Sequence, residues 1–426
     1  MPARYGRQRK LFYGWVIVIA SFLIVLVAFA VQYSFGVFFK PLQDEFGWSR
    51  TLTSGAFSIY FIAHGLCAIP AGWATDRFGP KITVAIGGLL IGAGLVLTSH
   101  IHSLWQLYLF YGILVGAGMS TAWAPVMATA SKWFAKNQGL ALGIIAAGVG
   151  IGTMIMSPVA TRFISMIGWR SSYFIMGFIA WVIIISASMF LAKDPETKGL
   201  LAYGAVTATV ESNRNTEMPG IPLPQALRTR TLWLLFSMYL LCNICIQMVM
   251  AHVIRYAIDV GISSLIAATI LSFIGGFSVV GRIAIGSLSD RVGRRKAFIM
   301  CTIVLLIAVL CLIQARNVWI FYLLGAIFGL FYGGFAPLFP SLTGELLGIR
   351  HLGANFGMVL LGAAVGGTIG PILAGHIFDT TGSYLFAFTS AAGCMLLAAI
   401  LSLLLKPGLK NARLNSDQAP PDLLIR

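Results

Sequence analysis

Charged side chains are scarce in this sequence. Only 10% of its 426 residues are Asp, Glu, Lys or Arg, whereas 58% are hydrophobic. An ordinary soluble domain carries about 25% charged residues, so a water-soluble fold is excluded. The length allows many spans of about 20 apolar residues, each long enough to cross a hydrocarbon core of ~30 Å. We therefore predict an all-α membrane protein embedded in a lipid bilayer.

Clusters of catalytic or metal-binding residues are also lacking. The six histidines do not cluster, and the six cysteines all lie in apolar stretches, where a thiol packs like a small hydrophobic side chain. The C-x-x-C pair formed by Cys242 and Cys245 has no second pair and no alternating strand–helix pattern around it. No phosphate-binding loop occurs, and Ser120 and Thr121 have no base nearby in sequence. We therefore predict no enzymatic activity, no metal site and no cofactor.

The hydrophobic residues fall into twelve stretches when the sequence is read in windows of about 19 residues. These spans cover residues 12–39, 50–71, 81–99, 104–131, 138–161, 169–192, 231–257, 263–287, 297–314, 318–344, 352–376 and 383–405. The longest polar interruption is 193–228, which has a proline-rich end and is expected to include an amphipathic portion. We therefore predict twelve transmembrane helices in two six-helix bundles, an N-terminal one in 1–192 and a C-terminal one with a tail in 229–426, joined by a linker in 193–228.

Positive charge is concentrated on one side of this topology. Of the 29 lysines and arginines, 22 lie in the tails and in the loops on the same side, and six lie in the opposite loops. Counting the acidic residues as well, the net charge is +13 on the first side and +2 on the second, and Arg282 inside a span completes the total of +16. The positive-inside rule then places both termini in the cytoplasm of a multi-pass plasma membrane protein, the inner membrane in a bacterium. Topology accounts for the charge without a nucleic-acid partner.

Two equivalent loops repeat one another. The loop between spans 2 and 3 and the loop between spans 8 and 9 match at five positions with a constant offset of 214. The matched residues are Gly72, Asp76, Arg77, Gly79 and Lys81 in the first loop and Gly286, Asp290, Arg291, Gly293 and Arg295 in the second. Such a match indicates an internal duplication. Glycine permits close helix approach, and an Asp–Arg pair at a helix end can bind a neighbouring helix terminus, so we expect these residues to form a gate.

These loops resemble the signature loop of the major facilitator superfamily. Residues 132–143, continuing to Gly148 and Gly150, resemble the span-5 motif of the monocarboxylate transporter family, although Asn137 and Gln138 replace its paired arginines. The resemblance implies two bundles that rock about a central site, and we expect the protein to function as a monomer. The related oxalate/formate exchangers carry a lysine in span 11, whereas 352–376 contains no Lys or Arg. That absence favours a substrate with a single negative charge.

Arg282 is the main candidate for substrate binding. It lies inside span 8, about six residues or ~9 Å from the cytoplasmic end of that span at 1.5 Å per residue. A buried arginine inside a membrane usually faces a cavity or a partner, and its planar fork suits a carboxylate. It also matches the span-8 arginine of the monocarboxylate transporters. The alternative interpretation is an arginine that extends to the headgroups or pairs within the signature loop.

Several other side chains are candidates for contact with the substrate. Asn243 and Gln247 lie one turn apart on span 7, and Tyr332 lies near the middle of span 10. Tyr33 aligns with a functional lysine of the family. Phe335 and Phe356 are candidates for an apolar wall that excludes larger acids. Each of these residues has an alternative role in helix contacts or core packing.

Proton coupling requires a titratable group. The family's span-8 aspartate, one turn before the arginine, is here Ser278, which cannot carry a proton. Asp259 is the first substitute, because its protonation could alter pairing with Arg255 or, after rearrangement, with Arg282. His252 is a second candidate for this role, and the mid-span His64 could also titrate near neutral pH. A solvated helix-end charge and a hydrogen-bonded structural histidine are the respective alternatives.

The expected function is proton-coupled symport of a small monocarboxylate such as lactate or pyruvate, with a small organic anion and a proton as transported partners. A monoanion that moves with one proton is electroneutral, so the membrane potential does not oppose its entry. Two alternatives stay open. One is a carboxylate exchanger of the oxalate/formate type that needs no proton, and the other is a transporter-like sensor that binds without transport.

Overall fold

The computed structural model describes residues 12–205 and 220–405. Within these ranges the chain is helical, so the predicted all-α fold is confirmed. The membrane helices, labelled α1 to α12 in chain order, are Tyr13–Phe46, Arg50–Phe78, Pro80–Thr98, Leu104–Trp133, 138–167, 169–188, Arg230–Asp259, Ser264–Val292, Arg294–Leu312, Val318–Leu347, Leu352–Thr381 and Tyr384–Leu403.

Helices α5 and α6 are separated by a single residue. The helical stretch Gln138–Ser188 is 51 residues long, far more than the about 20 residues that cross a bilayer. Gly168 interrupts it with φ 78° and ψ 163°, a left-handed φ that favours glycine. Trp169 donates to Glu45 at the end of α1, whereas Trp133, next to the start of α5, donates to the carbonyl of Ala192 just beyond α6. The chain therefore reverses at Gly168, and the eleven long apolar helical stretches provide twelve spans.

An even number of spans brings both ends of the described chain to one side. We call this the terminal side, and the opposite one the far side. Many helices run past the predicted apolar spans; α2 continues to Phe78 and α8 to Val292. A helix satisfies its own backbone hydrogen bonds, so it continues from the hydrocarbon into the interfacial region where charged residues are tolerated. Hydropathy therefore detects the apolar part of each helix rather than its ends.

Helix α4 departs from regular α-helix. Tyr108–Val115 forms a π-helical segment, Ser120–Ala122 forms a 3-10 turn, and a regular helix restarts at Ala124. Pro125, which has no backbone N–H, stands in the first turn of the restarted helix. Trp123, at the junction, lines the central cavity described below. Such irregular turns are frequent where a helix borders a functional site.

Glycines set the closest helix contacts. Within the first half, Gly148 and Gly152 on α5 lie against the backbone of α1. Within the second half, Gly366 and Gly370 on α11 lie in the same way against the backbone of α7. A side chain at any of these positions would collide with a carbonyl oxygen of the partner helix. Close packing of this kind holds membrane helices together where no hydrophobic driving force acts between them.

The linker lies along the terminal side. Tyr203 packs between Phe12, Trp15 and Phe134, and its backbone bonds to residues 133, 135 and 136. Gly220 and Ile221 then reach the end of α10, where the Ile221 amide donates to the carbonyl of Leu347. The predicted linker thus contacts both halves through its described parts. Residues 206–219 of the predicted linker and the C-terminal tail from 406 lie outside the described residues.

Candidate functional site

A cavity of about 140 Å³ lies between the two halves. Helices α1, α2, α4 and α5 line it from the first half, and α7, α8, α10 and α11 line it from the second. Its polar lining residues are Gln32, Tyr33, His64, Trp123, Tyr239, Asn243, Gln247, Arg282 and Tyr332. The other lining residues are apolar, among them Phe29, Phe61, Phe335 and Leu360. A mostly apolar cleft with a few convergent polar groups is typical of a small-molecule site.

Arg282 is the charged residue of this cavity among the described residues that line it. It is only 3% exposed and lies ten residues, or about 15 Å, from the end of α8 at Val292. The predicted ~9 Å refers to the end of the apolar span, and α8 continues beyond that span to Val292. The guanidinium lines the cavity between the halves, which differs from the alternative of an arginine that extends along its helix to the headgroups.

One edge of the Arg282 guanidinium lacks strong hydrogen-bond partners. Its Nη1 donates to the carbonyl oxygen of Ala146 on α5 at 2.7 Å, a bond that joins the two halves. Its Nη2 makes a long contact of 3.4 Å with the Tyr332 hydroxyl, and its Nε is buried without a hydrogen-bond partner. Nε and Nη2 form the edge that binds a carboxylate with two parallel hydrogen bonds. A buried donor without a partner costs about 1–3 kcal/mol, which an entering carboxylate would recover.

The other candidates from the second half surround this arginine. Asn243 and Gln247 line the cavity from α7, and the Asn243 amide donates to the carbonyl of Tyr239 at 3.1 Å. Tyr332 places its ring 5.9 Å from the Arg282 guanidinium carbon, and the buried Phe335 lies one turn further on. The structure thus brings these predicted binding residues into one site.

The first half supplies neutral polar groups. Tyr33 lines the cavity and is 40% exposed. Gln32 is almost fully buried, and its side-chain oxygen accepts a hydrogen bond of 3.0 Å from the Tyr60 hydroxyl. Tyr111 donates to the backbone oxygen of the same residue at 3.4 Å. These bonds hold Gln32 in place on the cavity wall. His64 lines the cavity beside them.

Three predicted site residues lie elsewhere. Phe356 is fully buried and does not line the cavity, because α11 presents Leu360, Ala363 and Ala364 there instead. Asp259 lies at the far end of α7 and pairs with Arg255 at 3.8 Å, and both side chains are well exposed. His252 contacts the Tyr384 hydroxyl at 3.3 Å and the Pro371 carbonyl at 3.2 Å.

Three further aromatic residues of the cavity carry no distinguishing signal in the sequence. Trp123, Tyr239 and Phe29 all line the cavity, and Phe29 packs edge-on against Trp123 with ring centroids 5.3 Å apart. In a sequence where 12% of residues are aromatic, such side chains look like ordinary core. The one available signal is Pro125, two residues after Trp123, which marks the break in α4.

The predicted gate residues lie where the halves meet on the terminal side. Asp76 at the end of α2 accepts hydrogen bonds from the backbone amides of Gly353 and Ala354, at 3.3 and 3.0 Å, at the start of α11. Lys132 pairs with the same carboxylate at 3.4 Å, and both side chains are about 95% buried, with 4% and 6% exposed. A carboxylate at a helix N-terminus is favoured by the helix dipole. Gly72 lies one turn before Asp76, against the Gly353 backbone.

Asp290 makes the matching contact in the second half. It accepts hydrogen bonds from the amides of Gly139 and Leu140, at 2.8 and 3.0 Å, at the start of α5. Gly286 packs against Gly139, as Gly72 does against Gly353. The arginines differ from the aspartates, since Arg77 lies over the rings of Trp73 and Phe78 within its own half and Arg291 is exposed.

A further contact crosses the halves beside Asp290. Arg294 on α9 donates to the side-chain oxygen of Gln138 on α5 and pairs with Glu345 at 3.2 Å. Gln138 stands where the monocarboxylate family usually has an arginine, and here it accepts a hydrogen bond from a cation of the other half. On the α11 side, burial lowers the pKa of the His351 imidazole, although the nearby Asp76 opposes that shift.

These contacts close the terminal side. On the far side, a Cβ built at Gly36 on α1 or at Gly275 or Gly276 on α8 meets no atom within 4 Å. Tyr33, just beyond the middle of α1, is the cavity residue with the 40% exposed side chain. The structure therefore has its halves joined on the terminal side, and the exposed Tyr33 ring indicates access to the cavity from the far side.

The chain is similar to known transporters over most of its length. A family model, the Major Facilitator Superfamily, matches residues 21–294 and 277–424. Monocarboxylate transporter 12 of Homo sapiens is 28% identical over 410 residues, which cover 91% of this chain and 80% of that protein. Monocarboxylate transporter 13 of Rattus norvegicus is 29% identical over 423 residues, covering 97% and 93% of the two chains. The oxalate:formate antiporter of Oxalobacter formigenes is 25% identical over 410 residues, covering 95% of each.

Solved structures agree with the fold. The proton:xylose symporter XylE bound to 6-bromo-6-deoxy-D-glucose superposes with a TM-score of 0.76 at 13% identity, covering 93% of this chain and 96% of that one. The Escherichia coli fucose:proton symporter FucP gives a TM-score of 0.68 at 15% identity, covering 92% and 99%. The relatives and the fold are those of transporters rather than enzymes. The predicted two-bundle architecture and the resemblance to monocarboxylate transporters are confirmed.

Proposed function

Because this chain belongs to the major facilitator superfamily, we propose that it is a secondary active transporter that carries a small monocarboxylate together with one proton. The substrate binds in the central cavity, with its carboxylate on Arg282. The protein resides in the plasma membrane with both termini in the cytoplasm, and a single chain is the working unit.

The observation that carries this proposal is the unpaired edge of Arg282. Its Nε is buried without a partner, and its Nη2 has only the long contact to Tyr332. Among the described lining residues there is no Asp or Glu to neutralise it. One fixed cation in a cavity of about 140 Å³ suits one small monoanion. The relatives named as monocarboxylate transporters support this substrate class.

Alternating access supplies the transport step. The contacts at Asp76 and Asp290 join the halves on the terminal side, so the cavity is reached from the far side. Rocking would break these contacts and separate the helices on the terminal side, as expected for two bundles around a fixed site. Arg282 bonds across the halves to Ala146 on α5, so an anion that binds its free edge acts at the interface that must move.

Binding by wild type and by Arg282→Lys tests the site. L-lactate, pyruvate, acetate, oxalate and malonate are titrated against purified protein. Lysine keeps the charge but cannot offer two parallel donors, so we expect monocarboxylate affinity to fall about tenfold or more, the factor for ~1.4 kcal/mol. Arg162→Lys, on an exposed arginine near the far-side end of α5, is the matched control and should bind as wild type does. Unchanged affinities in Arg282→Lys would exclude this site.

A carboxylate exchanger is the second candidate, favoured by the 25% identity to the oxalate:formate antiporter across 95% of both chains. Liposomes separate the two functions. Uptake of labelled L-lactate into empty vesicles should be stimulated by an imposed pH gradient if the protein is a symporter. An exchanger would ignore the gradient and would require a carboxylate inside the vesicles.

A further inference from the structure

The central cavity contains one imidazole, a side chain that can be either neutral or positively charged. Among the described residues that line it, the ionisable side chains are Arg282, three tyrosines and His64. Arginine stays charged and tyrosine stays neutral at physiological pH, whereas the charge of an unperturbed histidine changes between pH 5 and 8. His64 is therefore the lining residue that can gain or lose a proton while Arg282 stays positively charged.

His64 also has an unused hydrogen-bonding nitrogen. Its side chain is 8% exposed, and its Nε2 is buried without a hydrogen-bond partner. Its ring contact is with Tyr60, at a centroid distance of 6.1 Å, and that hydroxyl is already directed to Gln32. A histidine kept only for structure normally bonds through its ring nitrogens. His252 behaves in that way, since both of its nitrogens have partners.

The internal repeat relates the position of His64 to a position next to Arg282 in the second half. With the offset of 214 found at the matched loops, His64 in α2 corresponds to Ser278 in α8. Ser278 lies one turn before Arg282, and its hydroxyl donates to the carbonyl of Gly275 within its own helix. The second half thus carries the fixed positive charge, and the first half carries the imidazole one turn away from Ala68, the position that corresponds to Arg282.

Resting on the function proposed above, we infer that His64 is the proton-carrying residue of the transport cycle. When the anion binds Arg282 from the far side, the imidazole takes one proton from water in the open cavity. The N–H bond so formed persists while the halves rock. On the terminal side the imidazolium returns that proton to water, and the anion leaves.

Charge balance explains why one histidine is sufficient. The empty cavity holds +1, from Arg282 with a neutral imidazole. The loaded cavity holds Arg282, one anion and one imidazolium, which again sum to +1. Both forms that reorient therefore carry the same charge, and the membrane potential does not act on the net cycle. An anion bound without the proton would leave the cavity neutral, and its transport would then be coupled to the potential.

Among the described residues around His64 there is no competing Asp or Glu. Its own helix contributes Tyr60, α1 contributes Tyr33, and α4 contributes Tyr111, which stacks near Tyr60 at 5.7 Å. From the second half, α7 and α10 add Tyr239 and Tyr332, α8 adds Arg282, and α11 adds only Leu360, Ala363 and Ala364. Asp259, the other acidic candidate for proton coupling, lies with its partner Arg255 at the far end of α7.

Proton uptake on binding is the direct test. Purified protein in weakly buffered detergent at pH 7 is mixed with L-lactate, or with pyruvate, in the presence of a pH-sensitive dye. Wild type should take up about one proton per bound anion if the empty protein holds a neutral imidazole. His64→Gln should bind the anion and take up none, whereas Asp259→Asn and His252→Gln should behave as wild type.

Reconstituted transport gives the second measurement. With the membrane potential clamped, a gradient of one pH unit should drive ~tenfold accumulation of labelled L-lactate by wild type, the limit for one proton per anion. His64→Gln should retain counterflow but show no accumulation above protein-free vesicles. If His64 were purely structural, its substitution would lower counterflow and accumulation together.

The outcomes separate this inference from the function on which it rests. Proton uptake by wild type and equally by His64→Gln would overturn the role of His64 and leave symport intact. Loss of uptake in Asp259→Asn alone would assign the role to that carboxylate. Absence of proton uptake by wild type would overturn both proposals. Loss of counterflow in both His64→Gln and His64→Asn would show a structural residue and would also overturn the inference.

Discussion

The two halves of this molecule match each other where they close and differ where they bind. Asp76 and Asp290 occupy corresponding positions, and each accepts two backbone hydrogen bonds from the start of a helix in the opposite half. In the cavity, by contrast, the second half provides Arg282, whereas the first half provides neutral groups around Gln32 and His64. The two repeats can close against each other through the same contact made twice. An asymmetric ligand, by contrast, requires different side chains on the two sides of the cavity.

The largest expected effect on substrate binding comes from removing the asymmetry of the cavity. Arg282→Gln leaves both walls neutral and deprives a carboxylate of its charged donor. A hydrogen bond to a charged group contributes about 1.5–3 kcal/mol, so we expect binding to weaken by about 10- to 100-fold and transport to fall accordingly. Titration of L-lactate against wild type and variant measures the change in binding affinity. The control is Arg162→Gln, and equal affinities of wild type and Arg282→Gln would refute the central role of Arg282.

The next prediction compares the two aspartates. Asp76→Asn leaves the buried Lys132 without its partner, and removal of one member of a buried pair costs about 3–5 kcal/mol. Asp290 is exposed and has no salt-bridge partner among the described residues, so we expect Asp290→Asn to have a much smaller effect. Thermal unfolding in detergent should show the difference. Equal destabilisation would mean that the two closing contacts are energetically alike despite Lys132.

Glycine substitutions test closure itself. A side chain at Gly72 collides with the Gly353 backbone, so Gly72→Val should favour the state in which the terminal side is open, at a cost to the closed state of about 1–3 kcal/mol. Gly275→Val is the matched control, because open space surrounds a Cβ there. A cysteine introduced at Ala68, beside Gly357 on α11, reports the change as faster thiol labelling from the terminal side. No change in labelling would argue against steric closure at this pair.

The smallest effect concerns Tyr332. Its hydroxyl accepts a long hydrogen bond of 3.4 Å from Arg282, so Tyr332→Phe removes a weak contact and leaves the ring in place. We expect an affinity change of about 0.5–1 kcal/mol, or two- to fivefold. Isothermal titration with L-lactate has the required precision. A loss as large as that of Arg282→Gln would show that the hydroxyl contacts the substrate directly.

Much of the site was predictable because it depends on rare residues. In a chain that is 10% charged, an arginine inside an apolar span is conspicuous, and the structure places Arg282 on the cavity as expected. Asn243, Gln247, Tyr332 and Phe335 lie there as well. Phe356 does not line the cavity, because it lies one turn before Leu360 and nearer the closed terminal side, and hydropathy does not distinguish a cavity position from a core position one turn away.

Sequence alone determined the twelve apolar spans, their duplication, the loops that repeat and the single charge inside the bilayer. These follow from local chemistry. Backbone groups in lipid must form their hydrogen bonds within a helix, and a charged side chain there is costly unless it has a functional or structural partner. Tertiary structure decided which edge of Arg282 is free, which side of the molecule is closed, and that His64 shares a cavity with Arg282 although they are far apart in sequence. Those features depend on the rotation and packing of helices, which are set by contacts such as Gly72 with Gly353 that a single span does not encode.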